Sequence, residues 1–256
     1  MSANIEARVA LVTGAAGGIG RATALAFATT GARVVVADIN HIGAEETAHL
    51  ITQADGVAIA VRTDVTQADA VEALVQTTFD HFGRLDYAHN NAGIANDAVA
   101  GMVATAEHSE ETFDRMISVN LKGVWLCLKY ELPRMVAQGS GAIVNTSSVL
   151  GLIGSKGLAA YVASKHGVAG LTKTAALEYA QYGIRVNAVC PGVIDTPMVA
   201  DILANPKIAK AWVDSQAIRR PGAPAEIANA VVWLCSDAAS FITGHMLAVD
   251  GGQMAQ

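Results

Sequence analysis

Long apolar runs are missing from this 256-residue chain, although 52% of its residues are hydrophobic and only 16% are charged. Stretches such as Val9-Ala10-Leu11-Val12 and Val34-Val35-Val36-Ala37 stop at a Thr or an Asp after four residues. A bilayer needs roughly 20, so no transmembrane helix is expected. Clusters of lysine and arginine are missing as well. With a formal charge of −6, nothing concentrates the positive charge that nucleic acid or an anionic membrane requires. Cysteine is scarce: Cys127, Cys190 and Cys235 are scattered, odd in number and free of C-x-x-C spacing. Neither a disulfide framework nor a zinc site is indicated, and the three read as small buried side chains. The seven histidines show no H-E-x-x-H or paired ligand spacing, so no catalytic metal is expected. The start of the chain carries Glu6 and Arg8 and lacks the basic start, apolar stretch and cleavage site of a secretory signal. A cytoplasmic location is expected.

What the chain does have is short apolar runs, the mark of strands buried on both faces. Seven stand out, at Val9 to Val12, Val34 to Ala37, Val57 to Val61, Leu85 to Ala88, Ala142 to Asn145, Ile184 to Val189 and Met246 to Val249. Segments with helical spacing lie between them: Arg21 to Thr29, Glu45 to Gln53, Ala68 to His81, Glu111 to Ala137, Ala160 to Tyr182 and Ala225 to Cys235. This alternation predicts right-handed crossovers and an α/β fold. The expected form is a Rossmann-type, doubly wound, mostly parallel seven-stranded sheet with helices on both faces. No repeat, low-complexity tract or linker divides the chain, so residues 1–256 are expected to form one domain. The pattern breaks at 195–224, where Pro197, Pro206, Pro221 and Pro224 surround a short apolar helix with Ile202, Leu203 and Trp212. That segment reads as a lid or substrate loop, and an insertion that only packs on the sheet is the alternative.

Directly after the first strand comes Thr13-Gly14-Ala15-Ala16-Gly17-Gly18-Ile19-Gly20, and a helix-forming segment opens at Arg21. Glycines let the backbone turn tightly and approach a pyrophosphate, whose charge the free N–H groups and dipole of the helix attract. Gly14, Gly17, Gly18, Ile19 and Gly20 are therefore candidate cofactor residues. The second strand ends at Asp38, 18 residues beyond Gly20, where a carboxylate accepts hydrogen bonds from ribose hydroxyls. The same carboxylate repels the 2′-phosphate of NADP, and Ile39 and Asn40 bring no compensating charge, so NAD is favoured. Arg21 and Arg33 are the guanidiniums nearest in sequence that would change that. Asp64 and Val65, at the end of the third strand, stand where an adenine edge can be read. An N-cap role for Asp64 or Thr66 is the alternative.

Ser147-Ser148 follows the fifth strand, Tyr161 comes thirteen residues after Ser148, and Lys165 comes four residues after Tyr161. Four residues is about one helical turn, which puts ammonium and phenol on one face of a helix. The expectation is a tyrosine whose pKa is lowered from about 10 into the range useful for proton exchange with an alcohol. With Asn90-Asn91-Ala92-Gly93, Asn120, Asn187, Pro191-Gly192 and Val249-Asp250-Gly251-Gly252 in order, the chain resembles a short-chain dehydrogenase/reductase of the compact Tyr-x-x-x-Lys branch.

That resemblance implies that Ser148 hydrogen-bonds the substrate oxygen and that Tyr161 is the general acid or base. It also implies that Lys165 tunes the tyrosine and holds the nicotinamide ribose, and that Asn120 anchors a water in a proton relay. Asn91, Ala92 and Gly93 would border the cofactor. Pro191, Gly192, Val193, Ile194 and Thr196 would close over its nicotinamide and phosphates. The Asp250 turn reads as structural, and His89 as a core histidine. The family usually forms homotetramers.

The loops after strands five and six supply Val149, Leu150, Leu158, Val193, Met198, Ile202, Leu203 and Trp212 as expected pocket walls, suited to an apolar secondary alcohol or cyclic ketone. Two alternatives stand beside this reading. One is a 3-oxoacyl-thioester reductase, which would want NADPH and a basic patch. The other is a dinucleotide sensor without turnover.

Overall fold

The computed structural model describes residues 8–95 and 102–255, apart from the side chains of residues 202, 207 and 208. Seven strands form one sheet: β1 (Val9–Thr13), β2 (Arg33–Asp38), β3 (Ala58–Arg62), β4 (Tyr87–Asn90), β5 (Gly141–Thr146), β6 (Ile184–Pro191) and β7 (Met246–Val249). Their order is β3-β2-β1-β4-β5-β6-β7, and every pairing is parallel. The expected sheet was mostly parallel; the observed one is wholly so. Strand order reverses between β1 and β4, the switch point where such sheets open a crevice beyond their carboxyl ends.

The described helices are α1 (Gly18–Thr29), α2 (His41–Gln53), α3 (Ala68–Phe82), α4 (Glu110–Ile117), α5 (Gly123–Gln138), α6 (Ala159–Tyr179), α7 (Ala200–Ala204), α8 (Pro206–Asp214) and α9 (Pro224–Cys235). They cover both faces of the sheet because successive side chains of a strand point to opposite sides. Ala10, Val12, Val34, Val36 and Val144 meet Phe27 of α1 and Ile227, Val231 and Leu234 of α9 on one side. Leu11, Val35 and Ile143 meet Leu74 of α3, Leu128 and Leu132 of α5 and Val168 of α6 on the other.

One expected helix is broken. Glu111 to Ala137 divides into α4 and α5, joined by a π turn at Ser118–Lys122. Met116, Asn120, Val124, Leu128 and Leu132 all face inward, each four residues after the last. In a plain helix such a row drifts by about 40° per step, and the wider turn takes up part of that drift. The segment at 195–224 holds two helices, α7 and α8, rather than one.

Candidate active site

The glycine loop leaves β1 at Thr13 and enters α1 at Gly18. Gly14 (φ +65°) and Gly18 (φ +51°) both take the left-handed conformation that favours glycine. A Cβ on Gly17 would meet nothing within 4 Å, so this glycine borders open space. No side chain caps the start of α1, and its first N–H groups and dipole are left for an anion. Gly20 is a correction to the expected cofactor contacts. A Cβ there would stand 2.1 Å from the Gly14 carbonyl oxygen and 2.8 Å from Asn91 Nδ2. Its role is to let α1 close on the loop, and it does not line the cavity.

At the end of β2, Asp38 Oδ2 accepts from Ala16 N–H at 2.9 Å and Oδ1 from Asn40 N–H at 2.9 Å. These bonds fix the carboxylate against the loop and leave lone pairs on both oxygens. The Arg21 guanidinium is committed elsewhere: Nε donates to Thr47 Oγ1 at 2.9 Å, and an Nη to the Ala16 carbonyl at 2.6 Å and to Glu46 at 3.0 Å. Arg33 opens β2, at the opposite end of the strand from Asp38, and stacks over Phe82. Asp64 accepts from the N–H and hydroxyl of Thr66 at 2.9 and 2.8 Å, while Val65 lines the cavity. Gln67, not Asp64 or Thr66, occupies the N-cap of α3.

Asn91 is a brace. Its Nδ2 donates to the Thr13 and Gly14 carbonyls at 3.1 and 3.2 Å, and its Oδ1 accepts from Thr146 at 3.2 Å. It thereby ties β1, β4 and β5 together where the crevice opens. Behind it, His89 Nε2 lies 2.8 Å from the Thr146 hydroxyl, and burial pushes the imidazole down to about 3, so His89 is neutral.

Ser147 and Ser148 divide their work. Ser147 Oγ donates to the Lys165 carbonyl at 2.9 Å and so anchors α6 to β5. Ser148 caps the turn Val149–Gly151, accepting from Leu150 N–H at 3.1 Å, and its hydroxyl faces the Tyr161 phenol and favours its ionised form. Lys165 Nζ donates to the Thr146 carbonyl at 2.9 Å and lies 5.6 Å from the centre of the Tyr161 ring. Here the expected fall in tyrosine pKa is not what these side chains produce. Burial pushes the phenol up and the nearby Ser148 hydroxyl only opposes it, while burial pulls Lys165 down to about 8. Desolvation is the larger influence on the phenol and the Ser148 hydroxyl the smaller, opposing one.

Asn120 is fully buried and is not among the residues that line the cavity. Its Oδ1 accepts from Ile94 N–H at 2.8 Å, and its Nδ2 donates to the Ile94 carbonyl at 2.9 Å and to Ser164 at 3.3 Å. The carboxamide is committed to the loop after β4 and to α6. Asn187 likewise holds the approach to β7, through Ile242 and His245.

One cavity of about 960 Å³ runs past these groups. It is lined by Gly14, Gly17, Gly18, Ile19, Asp38, Ile39, Asp64, Val65, Asn91, Ala92 and Gly93 on one side. Ser148, Val149, Leu150, Leu158, Tyr161, Lys165, Pro191, Gly192, Val193, Ile194, Thr196, Met198 and Trp212 complete the expected set. Leu203 is a correction: it does not line the cavity, where Val199 and Ala211 stand instead. The side chain of Ile202 lies outside the described residues. Arg115, Ser155 and Gln253 also line it, and no local spacing in the sequence marks them. Among the described residues no helix is long and apolar enough to cross a membrane, and no three His, Cys, Asp or Glu side chains gather as metal ligands.

The model of a protein family described as enoyl-(acyl carrier protein) reductase matches residues 14–254. A cis-4-hydroxycyclohexanecarboxylate dehydrogenase of Sinomonas cyclohexanicum is 48% identical over 248 residues, covering 97% of both chains. A cyclohexanol dehydrogenase of an Acinetobacter species is 44% identical over 98% of this chain and 96% of its own. A solved structure from Agrobacterium tumefaciens with bound NADP superposes with a TM-score of 0.89 at 37% identity, over 98% of each chain. The fold, the ordered motifs and these matches over nearly the full length agree: the chain belongs to the short-chain dehydrogenase/reductase family.

Proposed function

We propose that this chain is an NAD-dependent oxidoreductase that interconverts a cyclic or otherwise apolar secondary alcohol and its ketone, with Tyr161 as general acid and base. The observation that carries the reading is the convergence of Ser148, Tyr161 and Lys165 on one cavity whose far end is the glycine loop. A dinucleotide fits that cavity: Gly17 leaves open space, the start of α1 is uncapped, and Asp38 is fixed where ribose hydroxyls need an acceptor. Bound there, NAD supplies the hydride acceptor, and NADH the donor in reduction. NAD rather than NADP is supported by Asp38 and by the engagement of Arg21 with Thr47, Ala16 and Glu46; the NADP of the Agrobacterium structure belongs to that protein.

Ser148 would hold the substrate oxygen by a hydrogen bond, and Tyr161 would take the hydroxyl proton in oxidation and return it in reduction. The apolar wall of Leu158, Val193 and Trp212 excludes water and strengthens both interactions. Because oxidation needs the deprotonated phenol and reduction the protonated one, raising the pH should speed oxidation and slow reduction through the tyrosine pKa.

The test is turnover, followed by absorbance of the reduced nicotinamide, with NAD or NADP and a panel of cyclohexanols, steroid alcohols, sugars and a 3-oxoacyl thioester. Turnover of an alcohol with NAD, reduced about 10²-fold or more in Tyr161→Phe, is the expected result. Preference for the thioester with NADPH would replace this reading with lipid synthesis. Binding of NAD without turnover of any compound would make the chain a sensor.

A further inference from the structure

The segment at 195–224 has almost no core of its own. Among its described residues the only buried side chain is that of Gln216, which is 1% exposed and polar. The apolar Met198, Leu203, Trp212 and Val213 are all at least partly open to solvent. Helices are usually held to a domain by a buried apolar face, and this segment is held by an amide instead.

Gln216 follows α8 and uses both ends of its amide. Oε1 accepts from Val193 N–H at 2.8 Å, and Nε2 donates to the Arg220 carbonyl at 2.7 Å. Two glycines make room for it: a Cβ on Gly192 would stand 2.5 Å from Gln216 Oε1, and one on Gly251 would stand 3.4 Å from Gln216 Cβ. Ile218 N–H donates to the Gly251 carbonyl at 3.0 Å, which joins the chain end to the same place. On one side of the amide, Val193 lines the cavity, and its carbonyl accepts from Gly222 N–H at 2.9 Å. On the other, Trp212 lies one helical turn before Gln216, lines the same cavity and packs in one cluster with Leu158 and Tyr161. A single side chain therefore joins the wall expected beside the nicotinamide to the wall expected beside the substrate.

We infer, resting on the dinucleotide site proposed above, that Gln216 is a positioning residue that latches α8 to the loop after β6, so that the nicotinamide wall and the substrate wall open and close as one piece. A polar latch suits a part that moves. An apolar side chain leaving a core exposes its whole area to water, whereas an amide exchanges each of its hydrogen bonds for one to water. With the segment shut and the amide removed, the buried Val193 N–H has no partner, and the shut form is disfavoured. Coupling of this kind is reciprocal: a dinucleotide that firms the Val193 loop firms α8, and a substrate held by α8 firms the loop.

The experiment is hydrogen–deuterium exchange of the full chain, read in peptides covering 191–195 and 206–215, without ligand, with saturating NADH and with saturating ADP-ribose, which lacks the nicotinamide. In the wild type NADH should slow exchange about tenfold in both stretches, and ADP-ribose should leave 206–215 within about twofold of the free chain. Gln216→Leu, of similar volume but without the amide, should exchange about tenfold faster in both stretches when free, and NADH should then protect 191–195 alone. Gln216→Glu keeps the acceptor for Val193 N–H and should stay within about threefold of wild type. A role in packing alone reverses that order, since leucine fills the space and a buried carboxylate does not suit it, so faster exchange in Gln216→Glu than in Gln216→Leu overturns the inference. Wild-type protection of 206–215 by NADH in Gln216→Leu overturns it too, as does equal protection by ADP-ribose in the wild type, a comparison that stands even where the leucine variant does not fold. Turnover is read separately: coupled protection through Gln216 in a chain that oxidises no alcohol would overturn the oxidoreductase reading and leave the latch, and turnover by a chain without that coupling would do the reverse.

Discussion

Glu131 is a carboxyl group with no exposure at all, on the inner face of α5. Its Oε2 accepts from Asn90 Nδ2 at 3.0 Å, and the same Nδ2 reaches Asn145 Oδ1 at 3.1 Å, beside the strand ends that carry the site. Glu131 Oε1 and Asn90 Oδ1 have no partner. A proton on the carboxyl is the donor that this acid–amide pair lacks. Burial pushes Glu131 up to about 7, against the opposing Asn90 bond. Since the folded pKa lies above the unfolded one, the fold holds this proton to higher pH than the unfolded chain does. Its contribution is complete below about 4.5 and is lost as pH rises through about 7, at a cost of up to about 3 kcal/mol. Melting temperatures taken from about pH 5 to 8 should therefore fall in the wild type, and Glu131→Gln should flatten that part of the slope. Parallel curves for the two proteins would show that Glu131 is charged in the fold. None of this was legible in the sequence, because the partners lie 41 residues apart and no spacing records them. Tyr161 and Lys165 were legible as a pair because one helical turn joins them. The direction of the tyrosine shift was not, since it depends on burial, which no spacing records.

At the scale of elements, two glycines three residues apart do opposite things. A methyl on Gly20 collides with the Gly14 carbonyl at 2.1 Å, whereas one on Gly17 meets no protein atom within 4 Å. Gly20→Ala should force α1 away from the loop and destabilise the chain by about 1–3 kcal/mol. Gly17→Ala should melt within a degree or two of wild type and yet bind NAD at least about tenfold more weakly, because the methyl enters the space expected for the pyrophosphate. Thermal melts with and without NAD, paired with NAD titration, separate the cases. Equal stability of the two variants would mean that the loop relaxes freely. The strands and the turn between β1 and α1 could be read from apolar runs and glycine spacing, both local signals. The π turn at Ser118–Lys122 could not, because apolar periodicity continues across it. What it sets is register, which brings Asn120 inward to hold Ile94 and Ser164.

At the scale of the molecule, the helices that flank the site carry large apolar side chains exposed to solvent. Trp125 of α5 is 44% exposed and Leu177 of α6 is 85% exposed, and Phe113 of α4 is exposed as well. Water contact over large aromatic and aliphatic groups is unfavourable, and the four-fold assembly usual in this family is the association that would relieve it. We therefore expect a homotetramer, with a mass in light scattering near four times 26.4 kDa. A closed assembly with α5 and α6 at its interfaces should respond to a charge placed there, so Trp125→Glu and Leu177→Asp should each shift the mass toward dimer or monomer. A surface change away from these helices, such as Glu72→Gln on α3, should not. Isolated wild-type chains near 26.4 kDa at micromolar concentration would overturn the expectation. The exposed residues of α5 and α6 would then be ordinary surface, and the site would have to be complete within one chain.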